Sequence, residues 1–275
     1  MTDTVASVVF TVANLAAAMV LFVLAAVALR HRSEASHLRW WSLFCAIGAG
    51  YALLLPASNL AGDVATGRIV VGLGMSFGCA AMFAFLRFAL EFAGLMPSQR
   101  WLAHVALIGL LLILALFWGT DLLLAGVTTS EFSRWAPEAG PLMALYVVYS
   151  AYAWLLPLYL FVRTFRRSTG LRRTQAAYML VAFGIGCVAT LSSLTPSIVG
   201  SQTLLAMAPA LLLPLFPLTI TYAIVRHRLW DVRTIAHRTA VWVTLSVALL
   251  VPIYLVVRGA ELLLPAMGGG ERAVL

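Results

Sequence analysis

The sequence predicts an all-α fold: a polytopic transmembrane helical bundle with about eight spanning helices. Three observations carry that prediction. Hydrophobic residues make up 63% of the 275, charged residues 10%, and the mean hydropathy is +0.99. A soluble domain of this size needs about 25% charged residues to cover its surface, so lipid has to replace water around most of this chain. Eight apolar runs are each long enough to cross about 30 Å of hydrocarbon, which takes about 20 helical residues. No ten-residue alternating pattern occurs, which argues against an outer-membrane barrel.

The runs lie at 5–29, 40–60, 69–92, 101–124, 141–161, 176–194, 203–225 and 239–257. The first begins after MTDTVASVVF, which has an acid and no base, so it reads as a permanent helix and not as a cleaved leader. The third run carries Gly74 and Gly78, a spacing that favours close helix contact and a possible homodimer. The seventh holds Pro209, Pro214 and Pro217, each of which removes a backbone donor. Carbonyls freed in this way must face protein, water or a ligand. Residues 1–275 read as a single membrane domain, with no soluble output domain visible in the sequence.

Charge sets the orientation. Arg30, Arg32 and Arg39 follow the first run, Arg100 the third, Arg163, Arg166, Arg167, Arg172 and Arg173 the fifth, and Arg226, Arg228, Arg233 and Arg238 the seventh. The alternate loops hold only Arg68 and Arg134, beside Asp63, Asp121, Glu131 and Glu138. Cytoplasmic loops carry the arginine excess. The expected location is therefore the bacterial cytoplasmic (inner) membrane, crossed many times, with the N-terminus outside. The ending PAMGGGERAVL resembles a turn that opens another helix, so the sequence is expected to continue into a further span.

The net charge of +8 does not point to nucleic acid, because the arginines sit in short loops between apolar runs. The expected partner is the lipid bilayer, through topology signals and contacts to anionic lipid. No cofactor and no metal are expected. His31, His37, His104, His227 and His237 all fall in or beside the arginine-rich loops, and none pairs with another at mid-membrane depth. Cys45, Cys79 and Cys187 lie inside apolar runs and show no metal or disulfide spacing.

Four groups of residues stand out. Arg87 and Glu91 lie four apart within the third run and share a helix face. Ionisable groups in a span are candidates for signal transmission, although both stand close to the span's end, where simple anchoring competes. Tyr146, Tyr149 and Tyr152 recur every three residues in the fifth run. They read either as the lining of a ligand pocket or as helix-packing residues. Leu229, Val232 and Ile235 fall three apart and read either as a short interfacial helix on the inner leaflet or as a simple topology anchor. The fourth group is the basic exit Arg228, Trp230 and Asp231, where one acid sits among four arginines.

That exit also carries a resemblance. YAIVRHRLWDVRTIAHRT, followed by AVWVTLSVALLVPIYLVV, resembles the N-terminal multi-helix, seven-transmembrane-type sensor region of bacterial membrane histidine kinases. Tyr222, Ala223, Ile224, Arg226, Arg228, Leu229, Trp230 and Asp231 match its helix end and basic turn. LRRTQAAYMLVAFGIG is similar to the entry of the preceding helix, through Arg172, Arg173, Gln175 and Gly184. FLRFALEFAG in the third run fits more loosely. The resemblance implies a membrane sensor of a two-component system, coupled to a cytoplasmic output kinase or another signalling module in cis or trans. The chain departs from complete kinases in showing neither a phospho-acceptor histidine region nor a nucleotide-binding box, so the resemblance does not make it an enzyme. A small transporter or channel, built on the broken seventh run, is the alternative expectation.

Overall fold

A computed structural model describes residues 2–30, 36–95, 98–128, 135–199 and 215–226. All of them fall in one compact unit, Met1–Arg233; a second unit, Thr234–Leu275, lies outside the described residues, as does the eighth apolar run. Seven helices are described: α1 (Thr2–Arg30), α2 (His37–Ala57), α3 (Val64–Phe92), α4 (Arg100–Gly119), α5 (Met143–Arg167), α6 (Gly170–Val199) and α7 (Leu215–Arg226). Five helical segments among these residues are long and apolar enough to cross a membrane: Phe10–Arg30, His37–Ala57, Val64–Phe92, Arg100–Gly119 and Met143–Arg167.

Neighbours in sequence pack as neighbours in space. α1 lies on α2, α2 on α3, α5 on α6, and α6 on α7, which also touches α1. α3 sits centrally and packs on α2, α4 and α5. Between helices in lipid there is no hydrophobic driving force, so close packing and hydrogen bonds must hold them together. Small residues serve this between α1 and α2, where Ala17, Ala18 and Ala52 form a buried cluster and Ser42 Oγ donates to Ala25 O at 2.8 Å. Aromatic rings serve it elsewhere. Trp41, Phe44, Phe85, Phe88, Trp154, Phe161, Phe183 and Phe216 form a connected set joining α2, α3, α5, α6 and α7. Each edge or offset contact adds about 0.5–1.5 kcal/mol beyond its buried area.

The outer face of the bundle is apolar. On α4, Trp101, Val105, Ile108 and Leu112 are exposed at helical spacing, while Leu102, Ala106, Leu110, Ile113 and Phe117 face inward. A helix facing water would keep the apolar inner face but carry polar residues on the outer one.

The run at 101–124 does not remain helical to its end. α4 stops at Gly119, Thr120 is extended, and a two-stranded antiparallel hairpin follows, β1 (Leu124–Thr128) with β2 (Ala136–Ala139). α5 and α6 run longer than the apolar stretches at 141–161 and 176–194, because their arginine-bearing turns continue the helix beyond the hydrocarbon. The hairpin is fixed to the start of α3. Trp135 Nε1 donates to Ala61 O at 3.0 Å, and its indole fills the space beside Gly67, where a Cβ would lie only 2.6 Å from the ring. Arg68 pairs with Asp121 in the same region.

Candidate functional site

Charged side chains gather at the opposite end of the bundle, where α2 begins, α3 ends and α4 begins. α3 closes in a Schellman motif: Gly94 N–H donates to Glu91 O at 3.0 Å and Leu95 N–H to Leu90 O at 3.1 Å. Gly94 has φ +70°, the left-handed conformation that glycine alone adopts without strain. Arg172, from the first turn of α6, donates Nη2 to Phe92 O at 3.0 Å and brings a cation to the negative end of the helix.

This geometry puts Glu91 in the last turn of α3, where the helix dipole opposes a carboxylate. Only 6% of its side chain is exposed. The compensation comes from α2. Arg39 Nη2 and Trp40 Nε1 both donate to Glu91 Oε1, each at 2.9 Å. Arg87 Nη2, one turn back on α3, is 3.9 Å from the same oxygen. The Arg87 guanidinium also lies over the Trp40 ring, 4.5 Å from its centroid, in a cation–π contact. Trp40 therefore meets the anion with its edge and a cation with its face. His37 packs its ring against Phe88 and Phe92 at 5.9 and 6.1 Å.

The next residue on α2 points into the bundle. Trp41 is fully buried, stacks on Phe44 at 5.2 Å, meets Phe88 at a tilt at 5.1 Å, and donates Nε1 to Thr221 Oγ1 on α7 at 3.3 Å. Two adjacent tryptophans thus connect different things, one to the Arg87–Glu91 pair and the other to α7.

Beside the cluster opens a cavity of about 610 Å³. Ser36, Arg39, Arg87 and Glu91 line one side, and Arg100 and His104 line another. Among the described residues no group of His, Cys, Asp or Glu is arranged to hold a metal ion.

The structure therefore brings Arg87 and Glu91 together, as their spacing implies, and adds Arg39, Trp40 and Trp41, which the sequence reading passed over. The signal for them was present: a Trp pair directly after an arginine, at the mouth of the second apolar run. The three tyrosines of α5 are placed differently. Tyr149 donates to Cys79 O at 3.4 Å and Tyr152 to Leu102 O at 3.0 Å, each tying α5 to a neighbouring helix backbone. Tyr146 meets Phe117 at 6.0 Å and packs on the core cluster around Tyr149. None of the three lines the cavity. Arg228, Trp230 and Asp231 lie outside the described residues.

Residues 13–233 match the family model for the N-terminal 7TM region of histidine kinase. The chain belongs to this family. The match takes in α1 from residue 13 onward, all of α2 to α7 and the basic residues up to 233, and it ends before the apolar run at 239–257. The histidine-kinase 7TM region is a sensory membrane module, and the chain is accordingly a membrane protein of that kind. No curated protein and no solved structure matches it.

Proposed function

We propose that this 7TM region transmits a signal from the Arg39–Glu91–Arg87 cluster to α7, and through α7 to the basic segment carrying Arg228, Trp230 and Asp231. The observation behind this reading is the adjacency of Trp40 and Trp41. A change in the pairing of Glu91 alters what holds the first turn of α2 against α3. The same turn carries Trp41, whose ring and N–H contact α7 at Phe216 and Thr221. A rotation of α2 large enough to exchange partners at Trp40 also disturbs the Trp41 contact, since successive helical residues turn together.

In this proposal the protein sits in the bacterial inner membrane with its N-terminus outside. Seven crossings then bring the end of α7 to the cytoplasm, where a kinase or other output module acts in cis or trans, within a homodimer. The arginine excess at that end supports the orientation. Single cysteines at Ser133 and Ser168, in a background lacking Cys45, Cys79 and Cys187, test it. Ser133→Cys is expected to label from outside intact cells, and Ser168→Cys only after the membrane is opened. Labelling of position 168 from outside would reverse the assignment.

The signalling route is tested in a fusion of the chain to a reporter histidine kinase. Trp41→Phe keeps the ring and removes the N–H, while Thr221→Val removes the acceptor with little change in volume. Either one is expected to shift basal autophosphorylation severalfold with insertion unaltered, and the double variant to add nothing further. Unchanged phosphorylation in both would reduce the contact to simple packing.

A further inference from the structure

The cavity at the arginine-rich end holds more positive charge than its single carboxylate can balance. Its lining includes Arg39, Arg87 and Arg100, with Glu91 as the one acid. Arg39 is already hydrogen-bonded to Glu91. Arg100 and His104 have neither a hydrogen bond nor an ion pair among the described residues. They stand four apart in the first turns of α4, on one helix face, and both are exposed. His104 offers an N–H in either protonation state.

The backbone adds to this charge. α2 and α4 both begin at the cavity, so two positive helix ends lie close to it, against the one negative end of α3 at Gly94, which Arg172 already meets. Neither the Ser36 nor the Gln99 side chain caps its helix, and neither first turn contains an acid. The level in the membrane is defined as well. The cavity lies where three candidate spans end, and Trp101 on α4 is 62% exposed, as expected of a ring at the headgroup boundary. α2 and α4 each pack on α3 but make little contact with one another, so a ligand in the cavity would bridge two elements that the protein itself leaves apart.

We propose that this cavity binds a phosphate group, that of an anionic lipid headgroup, held between Arg87 and Arg39 on one side and Arg100 and His104 on the other. Basic pockets between spanning helices at headgroup depth bind such groups through charge-assisted hydrogen bonds. The acyl chains would then lie along the apolar outer face of α4, over Val105, Ile108 and Leu112. The proposal does not depend on which leaflet the cavity faces. Its readout is lipid binding, so it can fail while the signalling route stands, and the reverse.

The test uses the purified full chain in micelles supplied with phosphatidylglycerol, with phosphatidylcholine, or with inorganic phosphate, and counts retained adducts by native mass spectrometry. Phosphatidylglycerol is expected to be retained in preference to phosphatidylcholine. The Arg100→Gln, His104→Gln double variant is expected to lose that retention by about tenfold or more, since each charge-assisted bond counts for about a factor of ten. Arg163→Gln with Arg166→Gln, in the last turns of α5 and not in the cavity lining, should retain the lipid as the parent does. Both cavity residues are exposed, and the unfolding midpoint in phosphatidylcholine checks that the variant is folded. Equal retention of the two lipids, or undiminished retention by the folded double variant, overturns the proposal. Displacement by millimolar inorganic phosphate, with no preference between lipids, would make the occupant a soluble anion and overturn the lipid as its source.

Discussion

The two ends of this bundle use the same kinds of residue under different conditions. At the hairpin end, Arg68 pairs with Asp121 with side chains 40% and 73% exposed, and Trp135 lies partly buried over Gly67. At the arginine-rich end, Glu91 is 6% exposed, accepts from Arg39, itself 58% exposed, and from Trp40, and has Arg87 nearby, while Trp41 is fully buried. Each end has an ion pair and a tryptophan donating a hydrogen bond, although the Arg68–Asp121 pair joins α3 to the loop after α4 and the Arg39–Glu91 pair joins two helices. Solvent makes the difference. An exposed pair in water contributes about 0–1 kcal/mol. A buried carboxylate deprived of a partner costs about 1–3 kcal/mol or more. The hairpin end can therefore lose a contact at small cost. At the other end the loss of one contact leaves a nearly buried carboxylate short of a partner, which is the property that the proposed switching element requires.

The largest expected contrast lies between the tryptophans. Trp41→Ala should destabilise the protein by about 3–5 kcal/mol, because it empties a packed aromatic site and leaves a cavity. Trp135→Ala should cost about 1–2 kcal/mol, chiefly from the unpaired Ala61 carbonyl. Denaturant unfolding in micelles measures both. A larger loss at Trp135 than at Trp41 would break the comparison, since the hairpin would then be a keystone of the fold.

How much of this was legible in the sequence follows from the range of the forces involved. Helices of about 20 apolar residues announce themselves through composition, and the Arg87–Glu91 pair shows in its spacing of four. Hydropathy cannot tell a buried strand from the end of a helix. Leu122, Leu123 and Leu124 therefore read as part of the fourth run, although Gly119, Thr120 and Asp121 had already ended α4. The partners of Glu91 were not legible, because Arg39 and Trp40 lie some fifty residues away and only the packing of α2 on α3 brings them close. The α5 tyrosines gave a spacing but no distances, and only coordinates show Tyr149 and Tyr152 bonded to neighbouring backbones.

The ion pairs give the next contrast. Arg39→Ala should cost about 1–3 kcal/mol, since it takes from the buried Glu91 its one close cation and leaves Arg87 at 3.9 Å. Arg68→Ala should cost about 0–1 kcal/mol. Salt sharpens the difference. Raising ionic strength to about 1 M shortens the screening length to about 3 Å, which removes the contribution of an exposed pair and largely spares a buried one. The Arg68 effect should therefore vanish in high salt, while the Arg39 effect, which joins an exposed guanidinium to a buried carboxylate, should fade only in part. If both vanish together, Glu91 is more solvated than its burial implies and the proposed switch loses its basis.

The smallest effect belongs to a single helix cap at the hairpin end. Asp63 precedes α3 and accepts from Thr66 N–H at 2.9 Å and from Thr66 Oγ at 2.8 Å. The backbone N–H of Thr66, then its hydroxyl, holds the Asp63 carboxyl below the usual aspartate range. A carboxyl depressed in the folded state stabilises that state above its unfolded pKa of about 3.9 and loses the effect as pH falls through the folded value. The contribution should therefore be complete at neutral pH and disappear below about pH 4. Asp63→Asn keeps an acceptor at the cap and removes the titration, so it should behave like the parent near neutrality and lack the acid-dependent loss. Asp63→Ala should be weaker at both pH values. Amide exchange at Thr66 and Gly67, compared between parent and variant at each pH, reads this end of the helix alone. If parent and Asp63→Asn lose protection equally on acidification, the acid sensitivity of the hairpin end arises elsewhere, with Asp121 and its pairing to Arg68 as the next group to examine.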